Sequence, residues 1–102
     1  MKILLLCNNG VTTGMLVPQL KKMSKKEDVV DAYSIFEYEN YIPLYDVVLL
    51  APQLKSYYKK VNECAKQHGT ICGMISTSDF NINGYKHIFE NALSLYKQKD
   101  NN

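Results

Sequence analysis

Two uninterrupted aliphatic runs, Ile3-Leu4-Leu5-Leu6 and Val47-Val48-Leu49-Leu50-Ala51, limit what this chain can become. A strand wetted on one side alternates apolar with polar residues, whereas a run with no polar member needs cover on both faces. That is the situation of an inner strand in a parallel sheet. Both runs stop abruptly, the first at Cys7-Asn8-Asn9-Gly10 and the second at Pro52-Gln53, so each strand opens directly into a turn.

The segments between and after these runs alternate in type. From Thr13 to about Lys26 the spacing predicts an amphipathic helix, with Leu16, Val17, Leu20 and Met23 inward and Lys21, Lys22, Lys25 and Lys26 largely outward. Lysines in its last turns suit the helix dipole, and Pro18 is expected near its first turn, where a missing N–H costs least. Val29 to Ile35 is β-rich, and Phe36 to Tyr41 is either one helical turn or a loop ended by Pro43. Leu54, Tyr57, Tyr58, Val61 and Ala65 recur at three and four, predicting a helix that ends at Gly69. Thr70 to Ile75 reads as a short strand and Ser76 to Gly84 as a polar loop. Tyr85, Ile88, Phe89, Ala92, Leu93 and Tyr96 mark a closing helix that frays over Lys99 to Asn102. Strand and helix in this alternation predict an α/β fold, a parallel sheet with helices on both faces joined by right-handed crossovers. At 102 residues, with no repeat or linker, one domain is expected.

Composition narrows the function. Hydrophobic residues make up 46% and charged residues 22%, as in an ordinary globular domain, and the run after Lys2 is too short for a signal core or a membrane span. The cytoplasm is the expected location. All twelve Lys+Arg positions are lysine. Without arginine, the usual bidentate reader of guanine and phosphate, neither nucleic-acid recognition nor an arginine-clamped phosphate site is expected. Three cysteines, an odd count with no secreted framework, are read as reduced thiols.

Cys7 stands in the mouth of the first turn, followed by Asn8, Asn9, Gly10, Val11, Thr12, Thr13 and Gly14. Buried cysteine is often mere packing, but a thiol beside a helix N-terminus is favoured as thiolate, and backbone N–H groups there attract anions. The turn lacks the Gly-Lys-Ser/Thr triplet of a nucleotide loop and the Gly-x-Gly-x-x-Gly fingerprint. A cysteine-dependent phosphatase places arginine after five intervening residues, and here that place is Thr13. Loss of the clamp suits a carrier that holds a phosphoryl group and hands it on. Cys64, His68 and Cys72 have a spacing that raises zinc, but a fourth ligand is not evident, so no metal site is expected. Asp79 is read as a turn residue without a catalytic role, and His87 as a surface residue.

Taken together, Lys2 to Leu6 ending in Cys7, Gly10 three residues on, Thr12-Thr13, Met15-Leu16-Val17, and Tyr45 through Leu54 with its Pro-Gln turn carry a family likeness. The chain resembles the enzyme IIB component of the lactose/cellobiose family of the bacterial phosphoenolpyruvate-dependent sugar phosphotransferase system. The resemblance covers nearly the whole chain. It implies a single IIB domain over 1–102, a four-stranded parallel sheet with helices on both faces, flavodoxin-like or small-phosphatase-like. It also implies that Cys7 takes a phosphoryl group from a phosphohistidine of a IIA protein and passes it to a sugar bound by a membrane IIC permease, the only membrane contact. N–H groups of Asn8 to Gly14 would then cradle the phosphocysteine, with no metal or organic cofactor at this step. Relatives commonly carry Ser or Ala and a Met around this turn and a Ser near Gly14, whereas this chain has Asn8, Asn9 and Val11 there. The alternatives are a small cysteine-dependent phosphatase or arsenate-reductase-like enzyme, and a non-catalytic regulatory domain of the same fold.

Overall fold

The computed structural model describes residues 1–8 and 11–100, with the backbone only of Val11 and Asp100. Four strands, β1 (Lys2–Cys7), β2 (Val29–Ser34), β3 (Val47–Leu50) and β4 (Ile71–Met74), form one sheet in the order β2-β1-β3-β4. Every pairing is parallel. The two aliphatic runs therefore lie in the two inner strands, where period-two alternation sends successive side chains to opposite faces. Ile3, Leu5, Val47 and Leu49 pack on one side with Leu16, Leu20, Ile88 and Ala92. Leu4, Leu6, Val48 and Leu50 pack on the other with Ile35, Ile42, Leu54, Val61 and Ala65. Helices α1 (Val11–Met23) and α4 (Tyr85–Asp100) thus cover one face, and α2 (Tyr38–Tyr41) and α3 (Tyr58–Gln67) the other.

Several boundaries differ from expectation. Helix α1 starts at Val11 and stops at Met23, so Lys25 and Lys26 lie beyond it and Pro18 sits in its interior. The cause at the end is Asp28, whose carboxylate accepts the Lys25 N–H at 2.9 Å while the Asp28 N–H returns to the Lys25 carbonyl at 3.0 Å. Pro18 has no N–H for the Gly14 carbonyl, but both residues are exposed, where water can serve it. Met23 is 37% exposed rather than inward.

Between β2 and β3 the chain makes a succession of helical turns, a 3₁₀ turn at Ile35–Glu37, then α2, then a second 3₁₀ turn at Ile42–Leu44 that runs through Pro43. Pro43 falls at the start of its turn, where its N–H would go unused. After β3, a 3₁₀ segment (Pro52–Tyr57) precedes α3, and Leu54 leaves helical geometry at φ −96°, ψ 20°. The helical spacing read from Leu54 onward spans this kink.

Helix α3 closes as foreseen at Gly69, which takes φ 72°. The Thr70 N–H reaches the Ala65 carbonyl at 2.9 Å and the Gly69 N–H that of Lys66 at 3.5 Å, the paired bonds of a left-handed C-terminal cap. The Thr70 hydroxyl is then buried between the carbonyls of Tyr45 (2.7 Å) and Ile42 (3.0 Å), tying the entrance of β4 to that of β3. Helix α4 does not fray at Lys99, whose ammonium bonds Asp46 at 3.1 Å, while Asn101 and Asn102 lie outside the described residues. Within α4, Leu93 is 37% exposed, and Leu95 packs against the sheet instead. A Cβ at Gly73 would stand 2.6 Å from a Leu95 methyl, so β4 carries glycine where α4 crosses it closely.

Candidate functional site

Strand β1 has neighbours on both sides because the chain goes first to β2 at one edge and then crosses to β3 at the other. The carboxyl end of β1 therefore lies at the reversal of strand order, where crevices form in open parallel sheets. The register places Cys7 beside Ser34 of β2, and the Ala51 N–H bonds the Leu6 carbonyl at 3.0 Å just past the end of β3.

Cys7 is 5% exposed. Thr13, in the first turn of α1 and itself buried, donates its hydroxyl to the Cys7 sulfur at 3.1 Å. The Cys7 Sγ also lies 4.0 Å from the Tyr33 carbonyl, a weak thiol contact across to β2. Strand alternation would assign Cys7 to the α1 face, yet it packs with Leu4, Leu6 and Ala51 on the other. The sulfur thus sits at the seam between the two halves of the core.

An open cleft of about 330 Å³ exposes this seam. One wall is Cys7, Asn8, Thr13 and Gly14; the other is Ala32, Tyr33 and Ser34. None of these side chains is ionic, and the first turn of α1 contains no acidic residue to oppose a bound anion. Tyr33 is held in place by stacking on Tyr41, with ring centroids 3.8 Å apart and planes 3° from parallel. Behind this pair the Tyr45 hydroxyl donates to Asp31 at 2.6 Å, and burial, reinforced by that carboxylate, pushes the phenol well above its ordinary range.

Of the residues expected from sequence, Cys7, Asn8, Thr13 and Gly14 meet at the cleft, whereas Thr12 is half-buried and does not line it. Asn9, Gly10 and the side chain of Val11 lie outside the described residues. Ala32, Tyr33 and Ser34 are not foreseen, because their approach to Cys7 depends on which strand pairs with β1 and in what register.

The other cysteines stand apart. Cys72 is buried, which pushes its thiol up to about 12. Burial also raises Cys64, whose sulfur is 3.9 Å from His68 Nδ1, itself 2.9 Å from the Cys64 carbonyl. Among the described residues no three His, Cys, Asp or Glu side chains gather as a metal site. Asp79 lies 3.1 Å from Nδ1 of His87 and does not line the cleft; His87 is exposed.

Fold and site together define a small parallel α/β domain with one thiol set at a cleft whose described lining carries no ionic side chain. The family described as "PTS system, Lactose/Cellobiose specific IIB subunit" matches residues 2–91, and the chain belongs to that family. It is a IIB phosphoryl-carrier domain of the sugar phosphotransferase system. No curated protein matches the chain. Among solved structures, the cellobiose-specific phosphotransferase IIB component from Borrelia burgdorferi is 29% identical, with a TM-score of 0.76 over 97% of this chain and 94% of that one. The lactose-specific IIB component domain from Streptococcus pneumoniae shares the fold at 20% identity, with a TM-score of 0.78 over 94% of this chain and 97% of the other. Among the described residues no helix is long and apolar enough to cross a membrane.

Proposed function

We propose that Cys7 is the phosphoryl acceptor of this IIB domain, that the 102 residues work as one such domain in the cytoplasm, and that its partners are a IIA phosphohistidine protein and a membrane IIC permease. The observation that carries this reading is the Thr13 hydroxyl donating to the Cys7 sulfur at the floor of an open cleft. A donor aimed at sulfur favours the nucleophile and orients it toward incoming phosphorus.

In the first transfer the Cys7 sulfur attacks phosphorus in line with the P–N bond of phosphohistidine. The S–P bond forms, and the pair from the broken P–N bond returns to the imidazole nitrogen, which gains a proton equivalent to the one the thiol lost. In the second, a sugar hydroxyl attacks phosphorus, the S–P pair returns to sulfur, and the hydroxyl proton balances the regenerated thiol. Amides near the start of α1 hold the phosphoryl oxygens, and positioning supplies most of the catalysis. Hydrolysis is disfavoured because no arginine is present to stabilise its transition state.

The test is transfer from phosphoenolpyruvate through the general phosphotransferase proteins and a cognate IIA. The unmodified protein should acquire one acid-sensitive phosphocysteine, seen by phosphorus NMR, and Cys7→Ser should lose uptake by more than about a hundredfold. Full labelling and onward transfer by Cys7→Ser would refute the reading, and steady aryl phosphate hydrolysis dependent on Cys7 would favour the phosphatase.

A further inference from the structure

We infer that the Ser34 hydroxyl is a phosphoryl-binding group that completes the site from the β2 side; this rests on Cys7 being the acceptor. The parallel register sets Ser34 directly beside Cys7, and both line the same cleft. Cys7 departs from the strand alternation, so what joins the two residues is the register and the shared cleft and not a common sheet face.

The bonding of Ser34 decides what it can offer. Ser34 precedes the 3₁₀ turn Ile35–Glu37, and its oxygen accepts the Phe36 N–H at 3.3 Å. A hydroxyl has one proton and two lone pairs, so an oxygen that accepts in a cap keeps its proton to donate. Among the described residues no acceptor takes that proton. The cap holds the oxygen at the cleft wall across from Thr13, and the neighbouring Tyr33 stacks on Tyr41. Thr13 addresses the sulfur from α1. Ser34 addresses the space beyond it, where the three phosphoryl oxygens of a phosphocysteine lie.

The cleft has a need for such a donor. Its lining contains no ionic side chain, and the chain has no arginine, so neutral N–H and O–H groups must hold the dianion. A hydroxyl donating to a phosphoryl oxygen forms a charge-assisted bond that exists only in the phosphorylated state. Ser34 therefore shifts the transfer equilibrium toward phosphocysteine.

The experiment compares unmodified protein with Ser34→Ala, Ser34→Thr and Ser34→Asp, each equilibrated with IIA, the general phosphotransferase proteins and phosphoenolpyruvate. The readouts are the phosphocysteine fraction and the phosphorus chemical shift, with circular dichroism reporting the fold. Ser34→Thr should match the unmodified protein, and Ser34→Ala should lower the equilibrium constant about tenfold and move the resonance. Aspartate is also a strong cap, so Ser34→Asp keeps the 3₁₀ turn while setting a carboxylate against the phosphoryl group, and its loss should be at least as large. If Ser34→Asp took up phosphate like the unmodified protein, the residue would be a cap only and the inference would fall. It would fall equally if folded Ser34→Ala kept the unmodified constant and resonance. No phosphocysteine on the unmodified protein would instead sink the assignment of Cys7, a distinguishable failure.

Discussion

At the scale of single residues, the site depends on Thr13 more than on its neighbour Thr12. Only Thr13 turns its hydroxyl to the Cys7 sulfur, from a position that is 1% exposed. Thr13→Val preserves the shape and removes the donor, leaving sulfur without it. Phosphoryl uptake should slow about fivefold, since one such bond is worth roughly 1 kcal/mol, and Thr13→Ser should restore most of the rate. Rapid-quench measurement of IIA-to-IIB transfer checks this, and equal rates for valine and threonine would remove Thr13 from the mechanism. Both hydroxyls are visible in the sequence as candidates. Which one faces sulfur is a matter of helix phase, set by where α1 begins, and with Asn8, Asn9, Gly10 and Thr12 all suitable as caps the sequence leaves that start open.

At the scale of elements, the amino ends of the sheet are laced together on the side away from the cleft. Asp46, just before β3, accepts the Lys2 N–H of β1 at 2.9 Å and the Lys99 ammonium of α4 at 3.1 Å. Burial pushes the Asp46 carboxyl up, but these two donors outweigh it and hold the group below its ordinary value of 3.8. A carboxylate depressed on folding stabilises the fold fully above its unfolded value, and the contribution is lost as pH falls through the folded value. Asp46→Asn should therefore cost under about 1 kcal/mol at neutral pH, because both partners are part-exposed, and nothing once the medium is acid enough to protonate Asp46 in the fold. Urea melts at several pH values test this; a difference that persisted undiminished into strong acid would point to packing and not charge. The C-terminal cap of α3 is legible beforehand, because glycine after a periodic run is a local signal. The contact between Lys99 and Asp46, 53 residues apart, has no such signal.

Across the whole molecule, one sheet divides two cores of similar character, and stability rests on the inner strands. Leu5 is fully buried at the centre of β1, whereas Leu93 on α4 is 37% exposed. Leu5→Ala should cost about 3 kcal/mol and Leu93→Ala under about 1, read from urea denaturation midpoints. Comparable losses at the two positions would mean that α4 seats differently on the sheet. The same layout explains the site: burying β1 between two neighbours brings the end of β2 alongside Cys7, at the mouth of the open end of the sheet.

By itself the amino-acid sequence determined the α/β alternation, the buried character of β1 and β3, the closing glycine of α3, and Cys7 at a strand-to-helix turn, because each is written in neighbouring residues. Only the tertiary structure decided that β2 flanks β1, that Ala32, Tyr33 and Ser34 form the second wall, and that Thr13 bonds the sulfur while Thr12 does not. Those outcomes depend on strand order, register and helix phase, quantities set by how two faces of a sheet are covered at once. The opening cysteine turn was thus half of a site, and packing supplied the other half from β2.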